Sequence, residues 1–339
     1  MATIRDVSRL AKVSTATVSR VLNGTVPVSP ERREAVLEAI ARLGFQPNAF
    51  ARSLATNRSQ GIGVVVSEVS SAVYGGILVG IESVIERHEM HMLVSSGHHR
   101  AEVERRAFEF LRQRRCDALI VQLDGASDAD IVAWSDTDVP VVVVGRRVPD
   151  MDRSCVYLDN VVGGYLATRH LLERGHRAIA HVAGLSGVPD AHDRLAGYRR
   201  ALDEAGIAYD DRLVAAGDFI EDGGQRAMRR LLARDRDFTA VFAANDQSAA
   251  GALRALRDAG MRVPDDVSVV GYDDTLLAHY LYPPLTTVRQ PLLEMGQAAA
   301  WLALERLGIH VRKEVSRRFE PVLVERESVA APRSGHSPA

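Results

Sequence analysis

The chain contains two different patterns of hydrophobic and polar positions. Up to residue 45, apolar side chains recur at three- and four-residue spacing, which predicts short amphipathic helices. From residue 61 onward, β-branched runs such as 61–66 and 141–145 alternate with helical segments. Uninterrupted apolar runs of this length are typical of strands that are buried on both faces of a parallel sheet. The pattern therefore predicts a small all-α head followed by a larger α/β body.

The alternation of strands and helices occurs twice within the body. The predicted strands are 61–66, 92–95, 118–121 and 141–145 in the first half and 178–183, 213–216, 240–243 and 268–272 in the second. Strands that are separated by single helices form a parallel sheet with right-handed crossovers. Two doubly wound parallel-sheet subdomains in tandem imply a cleft between them, because ligands bind beyond the C-terminal ends of such strands.

Residues 13–23 carry the most informative pattern of the head. A preceding helix begins after Thr3, and Asp6 follows three residues on, which is similar to a capping box. The second helix has Val18 on its inner side. Its outer face is small or polar and includes Arg20, which can donate two hydrogen bonds to the edge of a guanine. This arrangement favours a helix-turn-helix, and a helical hairpin that contacts nothing is the alternative.

A third helix and a short linker complete the head. The third helix is predicted to begin with Ser29 as its N-cap and Pro30 as its first residue, and to end at Gly44. Residues 49–56 are predicted to form a helix too short to be stable alone, which favours a hinge that becomes ordered on docking. Leu54 is then exposed and can wedge between base steps in the minor groove of DNA. Packing of Leu54 on the body or on a partner hinge is the alternative.

The net charge of −2 conceals an uneven distribution. Residues 1–60 contain nine Lys/Arg and four Asp/Glu, so the head carries +5 and the rest of the chain −7. A basic head suits contact with phosphates, and a chance excess on a solvated face is the alternative. Cys116 and Cys155 lack a metal-ligand spacing, and we find no secretory leader and no apolar run of membrane length. We therefore expect a cytoplasmic protein with no metal, no cofactor and no membrane contact.

Three motifs occur in the head in a specific order. They are residues 3–7 (TIRDV), 14–23 (STATVSRVLN) and 47–54 (PNAFARSL). With these motifs the head resembles the lactose repressor family of bacterial transcription regulators. The resemblance implies that the second helix enters the major groove of double-stranded DNA and that the hinge helix meets a central CG step of a pseudo-palindromic operator. The DNA-contacting residues that it implies are Thr3, Thr15, Ala16, Thr17, Ser19, Arg20, Asn23, Leu54 and Ala55.

Polar side chains follow the predicted strands of the second half. Asp190 and Arg194 lie four residues apart on one predicted helix, and this acceptor and donor suit adjacent sugar hydroxyls. An ordinary surface ion pair is the alternative. Asn245 follows the strand 240–243 and carries both a donor and an acceptor. Asp246, by contrast, is expected to cap the next helix.

The remaining candidates of the cleft come from three places in the body. Asp273 ends a strand and is a good acceptor for hydroxyl groups, whereas Asp274 is expected to be a helix cap. Phe219 offers an aromatic face for a sugar ring, and a place in the core is the alternative. Val73 and Tyr74 follow the first strand, which places them on the opposite wall.

The runs 99–122, 193–198 and 237–241 indicate the galactose-repressor branch of the same family. The body as a whole resembles periplasmic sugar-binding proteins and the effector domains of that family. The effector contacts that this implies are Val73, Tyr74, Asp190, Arg194, Phe219, Asn245 and Asp273. Two positions depart from the pattern, since Ser71 stands where many hexose binders have an acid and Gly145 where many have Asn or Asp. The first half therefore supplies fewer sugar ligands than expected, which leaves room for a larger or differently oriented saccharide.

These observations predict the domain organisation and the function. The segments are a helix-turn-helix domain (1–46), a hinge (47–60), an N-terminal effector subdomain (61–158 with 289–318), a C-terminal effector subdomain (159–288 with 319–330) and a disordered tail (331–339). The predicted function is a homodimeric repressor of carbohydrate uptake and catabolism genes that responds to galactose or a galactoside. A different effector, sugar or not, is the first alternative. A solute binder or enzyme without a DNA role is the remote one, since the basic head and the missing secretory leader argue against a solute binder, and the lack of a catalytic motif in its proper context argues against an enzyme.

Overall fold

The computed structural model describes residues 2–23, 27–45, 59–234, 237–310 and 315–333. Contacts within the chain divide it into two units, residues 1–60 and residues 61–339. The predicted hinge helix at 49–56, with Leu54 and Ala55, lies outside the described residues.

The described part of the head unit is built from three helices around one small core. These are α1 (Ile4–Leu10), α2 (Thr15–Asn23) and α3 (Pro30–Leu43). The predicted capping box is confirmed, because the Thr3 hydroxyl accepts from the amide of Asp6 and the Asp6 carboxylate accepts from the amide of Thr3. Gly44 ends α3 with a φ of 57°, a left-handed conformation that glycine adopts without strain. The core consists of Val7, Val18, Val36 and Ala39.

A tight turn sets the angle between α1 and α2. The Ser8 hydroxyl donates to the carbonyl of Val13 at 2.6 Å, and the Val13 amide donates back to the Ser8 carbonyl at 3.1 Å. Ser14 then accepts from the amide of Thr17 at 3.1 Å, which satisfies a free N–H group in the first turn of α2. The predicted helix-turn-helix is therefore confirmed.

The body unit contains two lobes, and the first is a parallel six-stranded sheet with helices on both faces. Its strands are β1 (Gly61–Val66), β2 (His91–Ser96), β3 (Ala118–Val121), β4 (Val141–Gly145), β5 (Cys155–Leu158) and β11 (Arg318–Phe319), in the spatial order β11-β5-β4-β3-β1-β2. Its helices are α4 (Ala72–Ile85), α5 (Ala101–Gln113), α6 (Asp128–Ser135) and α12 (Leu292–Arg306). Strand β5 was not predicted from the sequence, because it has only four residues and follows a polar 3-10 segment, Pro149–Ser154.

The second lobe repeats this plan. Its strands are β6 (Ile179–Ala183), β7 (Val214–Ala216), β8 (Ala240–Ala243), β9 (Ser268–Asp273), β10 (Thr286–Arg289) and β12 (Val322–Val324), in the order β12-β10-β9-β8-β6-β7. Only β12 runs antiparallel among the described strands of this sheet. Its helices are α7 (Asn160–Glu173), α8 (Pro189–Glu204), α9 (Glu221–Arg234), α10 (Asp246–Asp258) and α11 (Leu276–Tyr280).

The order of the elements takes the chain from one lobe to the other three times. It passes from β5 to α7, from β10 to α12, and from β11 to β12. Arg333, which the sequence analysis placed in a disordered tail, forms an ion pair of 2.6 Å with Asp266 of the second lobe. The ordered chain therefore extends at least to this residue.

Pairs of glycines let neighbouring helices of the body approach to backbone contact. A Cβ atom at Gly80 of α4 would collide with the carbonyl oxygen of Leu293 at the start of α12, and one at Gly296 would collide with the carbonyl of Ile77. The same reciprocal arrangement joins α7 to α8 and α9 to α10. Because the colliding atoms belong to the backbone, a side chain there requires two helices to move apart.

The substitution Gly80→Ala is expected to destabilise the body by about 1–3 kcal/mol, because it overpacks the contact between α4 and α12. Gly75→Ala is the matched control on the same helix, since a Cβ there meets no atom within 4 Å and alanine is the better helix former by about 1 kcal/mol. Denaturant unfolding of the two variants checks this. Equal stability of both variants would contradict the packing argument.

Candidate functional site

A cavity of about 320 Å³ lies between the two lobes. Residues at or just after the C-terminal ends of strands in both sheets line it, as expected for open α/β sheets. All seven effector contacts implied by the sequence lie on its wall. They are Val73, Tyr74, Asp190, Arg194, Phe219, Asn245 and Asp273. The size is at the lower end of the range of about 300–1,000 Å³ that small-molecule sites occupy.

Arg194 of α8 is the central charged group of the second-lobe wall. It is 3% exposed, and its guanidinium donates to Asn160 Oδ1 at 2.9 Å and to the carbonyl of Ala244 at 2.6 Å. The carboxylates of Asp190 and Asp273 lie 3.5 Å and 3.6 Å from it. A guanidinium held between two acids presents donors and acceptors side by side, which is the pattern that vicinal hydroxyl groups require.

Two aromatic rings lie close to this charge. The guanidinium carbon of Arg194 lies 3.8 Å from the ring centroid of Tyr272 and 5.7 Å from that of Phe219. Tyr272 is fully buried, so it supports the charge from the core side. Phe219 is half-buried and reaches the cavity, where its ring can pack against the apolar face of a sugar.

The two acids beside Arg194 hold protons more strongly than ordinary carboxyl groups. Burial raises the pKa of Asp273 to about 7, and the charge of Arg194 only partly opposes this effect. Burial likewise raises the pKa of Asp190 to about 6, again against the charge of Arg194. Asp190 keeps 29% of its side chain exposed, but this surface lines the cavity rather than the open protein surface.

Several cavity residues adopt a backbone conformation that favours glycine. The φ angles are 67° for Phe219, 107° for Asp273, 54° for His98 and 53° for His99. Non-glycine residues with positive φ are uncommon, and they concentrate at functional sites where the surrounding structure holds them in place. Residues with this strained backbone conformation therefore lie on both walls of the cavity, His98 and His99 on the first-lobe wall and Phe219 and Asp273 on the second-lobe wall.

The expected cap of α10 was assigned to the wrong residue. Asn245 is the N-cap, since its Oδ1 accepts from the amide of Ser248 at 2.8 Å, and its Nδ2 donates to the carbonyl of Phe219 at 2.9 Å. Asp246 is instead buried within the second lobe, where it accepts from the amide of Thr275 at 2.7 Å. Asn245 therefore fixes the position of Phe219 in addition to lining the cavity.

The expected role of Asp274 as a helix cap was also wrong. Thr275 occupies the N-cap position of α11. The Asp274 carboxylate pairs with Arg289 at 2.6 Å and with Arg326 at 2.5 Å. Two arginines close to this carboxylate, after strands that are adjacent in the sheet, form an ion-pair network that no local sequence signal could indicate.

The first-lobe wall contains polar residues that the sequence analysis missed. Gln122 and Asp124 follow β3, and His98 and His99 follow β2; all four line the cavity. Their position after the strands of a parallel sheet was the available signal, because side chains there meet at one edge of the sheet. The first lobe is therefore richer in polar groups than Ser71 and Gly145 alone indicated.

The second helix of the head presents the face that the sequence predicted. Thr15, Ala16 and Arg20 are exposed, and Thr17 and Ser19 are half-buried. The Thr17 hydroxyl lies 2.9 Å from the hydroxyl of Ser14, so it also stabilises the start of α2. Thr3 is exposed at the N-cap of α1, and the side chain of Asn23 lies outside the described residues.

Among the described residues no group of three His, Cys, Asp or Glu side chains is placed to hold a metal ion. In the same part of the chain, no helix is both long and apolar enough to span a membrane.

Comparison with known proteins identifies both units. Residues 3–48 match the model of the bacterial regulatory proteins of the lacI family, and residues 168–329 match a periplasmic binding protein-like domain. The HTH-type transcriptional regulator GalR of Escherichia coli is 42% identical over 332 residues, which are 98% of this chain and 97% of that protein. The chain belongs to the lacI family.

Solved structures of lacI-family proteins share the fold over nearly the full length. The lac repressor dimer bound to operator and the anti-inducer ONPF has a TM-score of 0.87 at 32% identity, covering 97% of this chain and 99% of that one. The transcriptional regulator CelR in complex with cellobiose has a TM-score of 0.72 at 38% identity, covering 97% and 100%. The predicted family and fold class, a helix-turn-helix head with a two-lobed periplasmic-binding-protein-like body, are confirmed.

The acids of the cavity predict a pH-dependent stability in this lacI-family chain. Because the pKa of Asp190 is raised on folding, the folded state binds more protons than the unfolded state, and this residue destabilises the protein increasingly as the pH rises from about 4 to about 6. Asp190→Asn should therefore add about 1–2 kcal/mol of stability near pH 7 and almost none near pH 4. Thermal unfolding at both pH values checks this, with Asp193→Asn on the same helix as control. A gain that is equal at both pH values would contradict it.

Proposed function

We propose that this lacI-family regulator is a homodimeric repressor of carbohydrate uptake and catabolism genes, and that galactose or a galactoside in the inter-lobe cavity controls its affinity for operator DNA. The observation that carries the proposal is the buried Arg194 between Asp190 and Asp273 on the cavity wall. A guanidinium with a carboxyl group 3.5 Å away on one side chain and 3.6 Å away on another suits a neutral polyol, which can donate to the acids and accept from the guanidinium.

The identity of the sugar rests on the relatives and on the cavity. The relatives named GalR and GalS are 42–44% identical over nearly the whole chain, and all seven implied effector residues line one cavity. A disaccharide is the second candidate, because the structure of CelR with cellobiose shows a lacI-family regulator of the same length with a two-ring sugar. Ser71 and Gly145, which are small and line the same cavity, leave space for a second ring.

The DNA-reading surface is the exposed face of α2. We place Thr15, Ala16 and Arg20 against base edges in the major groove, and Thr3, Thr17, Ser19 and Asn23 against the backbone or neighbouring bases. Leu54 and Ala55 complete the set as minor-groove contacts at a central CG step. The exposure of Thr15, Ala16 and Arg20 supports this assignment.

The homodimer is supported by an exposed apolar patch on the second lobe. Leu276, Tyr280 and Tyr282 are 72%, 79% and 94% exposed, which is unusual for large apolar side chains that lie close together in the sequence. A second copy of the chain would cover them, and a two-fold axis matches a pseudo-palindromic operator. The lac repressor, a structural neighbour, is a dimer on its operator.

Control by the sugar follows from the arrangement of the two lobes. A ligand that contacts both walls of the cavity favours the lobe arrangement in which both contacts are made. If that arrangement also sets the spacing of two hinges in the dimer, sugar and operator affinity are coupled. We propose that the protein acts in the cytoplasm and catalyses no reaction, which agrees with its relatives being named transcriptional regulators.

The experiment that tests the function measures binding of the full chain to DNA and to sugars. Operator sequences are first selected from a pool of randomised CG-centred palindromes, and each sugar of a panel is then added to the complex. We expect nanomolar binding to one palindrome at physiological salt and a shift with galactose or a galactoside. A protein that shows no preference among palindromes would refute the proposal, and a response to another sugar only would correct the effector.

The variant Arg20→Ala should weaken binding to the selected operator by about 1–3 kcal/mol, because it removes a side chain that can hold a guanine through two hydrogen bonds. The matched control is Arg42→Ala, which removes the same charge from the exposed last turn of α3. Competition with an operator changed at one base shows whether specificity is lost as well. Equal losses in both variants would mean that Arg20 acts only through its charge.

The variant Arg194→Lys should abolish the response to sugar while leaving operator binding intact. A lysine ammonium cannot keep both hydrogen bonds of the guanidinium, to Asn160 Oδ1 and to the carbonyl of Ala244, in their present geometry. We expect the sugar affinity to fall by at least about 2 kcal/mol, measured by calorimetry. Arg200→Lys on the same helix, which pairs with Glu204 at the surface, is the control. Sugar binding that survives in Arg194→Lys would place the effector elsewhere.

A further inference from the structure

The first-lobe wall of the cavity contains a polar network around a buried carboxylate. Asp124 is 8% exposed, and its oxygens lie 2.7 Å from the Ser67 hydroxyl and 2.6 Å from Gln122 Nε2. His99 contributes a third contact, with its Nδ1 2.8 Å from Asp124 Oδ2. The hydroxyl of Tyr74 lies 3.5 Å from the same oxygen. Both oxygens of Asp124 are thus already occupied by protein groups.

A second carboxylate fixes the backbone beneath this network. Glu104 is fully buried, and it accepts from the amides of Asp124 and Gly125 at 2.9 Å and of Ala126 at 2.8 Å. Three hydrogen bonds to one charged group hold the segment after β3 in a single conformation. Glu104 is therefore a positioning residue for Asp124, and through Asp124 for His99.

The imidazole of His99 leaves one edge directed away from the network. Its Nδ1 is bonded to Asp124, whereas its Nε2 has no hydrogen-bond partner within the part of the chain that the structure describes. The side chain is 17% exposed and lines the cavity. Burial lowers the pKa of His99, but the hydrogen bond and charge of Asp124 outweigh this effect and raise it above the usual value. Because Nδ1 donates to the Asp124 carboxylate, Nε2 is an acceptor in the neutral imidazole and a donor in the imidazolium, so it can form a hydrogen bond with a hydroxyl group in either state.

We propose that His99 is a specificity-determining effector contact, whose Nε2 forms a hydrogen bond with one hydroxyl group at the edge of the sugar that faces the first lobe. The acids and the guanidinium of the second lobe hold the opposite edge. This inference rests on the proposed function, and it supplies the first-lobe hydrogen bond that Ser71 and Gly145 do not. Because the two sets of contacts belong to different lobes, His99 also makes sugar binding sensitive to the lobe arrangement.

The test is calorimetric titration of the full chain with D-galactose and with its five monodeoxy derivatives (at C1, C2, C3, C4 and C6), each of which lacks one hydroxyl. His99→Asn removes the Nε2 edge, yet its short amide can still donate to Asp124, and asparagine tolerates the φ of 53°. We expect a loss of galactose affinity of about 10-fold. In the wild type, galactose should bind more tightly than the deoxy sugar that lacks the hydroxyl contacted by His99. In His99→Asn these two affinities should be equal, whereas the ratios of galactose affinity to the affinities of the other deoxy sugars should stay as in the wild type.

Two further variants separate recognition from structural support. His99→Gln places an amide donor near the position of Nε2 and should retain part of the discrimination that His99→Asn loses. His91→Ala changes an exposed histidine at the start of β2, outside the cavity, and should match the wild type.

Three results would overturn the inference, and they can be told apart. If His99→Asn binds galactose and every monodeoxy sugar with the affinities of the wild type, His99 does not contact the sugar. An even loss over all the sugars would show that His99 only supports the fold. If the wild-type protein binds none of these sugars, the proposed galactose function fails and this inference fails with it.

Discussion

The buried charge of Arg194 is the constraint on which the effector cavity depends. A guanidinium that is 3% exposed is tolerated only where acids and carbonyl groups replace its water, and here three elements and the loop after β8 supply them. The close approach of α7 and α8 is part of the same requirement, since a Cβ at Gly164 would collide with the backbone of Arg194. The close packing of α7 against α8 and the position of Arg194 in the cavity wall therefore depend on each other.

The two walls of the cavity offer different chemistry to a ligand. The second lobe presents a positive charge between two carboxyl groups whose pKa values are raised to about 6 and about 7. The first lobe presents a rigid network in which Asp124 is already satisfied and His99 is directed outward. A sugar that satisfies both walls must bridge the lobes, and in the proposed function this couples effector binding to operator binding.

The sequence predicted most of the fold because uninterrupted apolar runs mark buried parallel strands, and because polar residues after those strands meet at one edge. It also brought Asp190 and Arg194 together, since helical spacing is a local property. It failed where the deciding partner is distant or the local choice is ambiguous. Asn245 and Asp246 both suit an N-cap, and only the extended φ of −156° at Asn245 decides between them. The pairing of His99 with Asp124 joins residues 25 positions apart on two loops, so no spacing rule could find it.

The central claim is that sugar in the cavity and operator at the head bias the same conformational equilibrium. Linkage requires that the factor by which the sugar changes operator affinity equals the factor by which the operator changes sugar affinity. The most direct measurement is the dissociation constant of the sugar for the free protein and for the protein saturated with operator. Our account predicts that the two constants differ by the same factor as the operator constants with and without sugar. Identical sugar constants in the presence and absence of operator would contradict it.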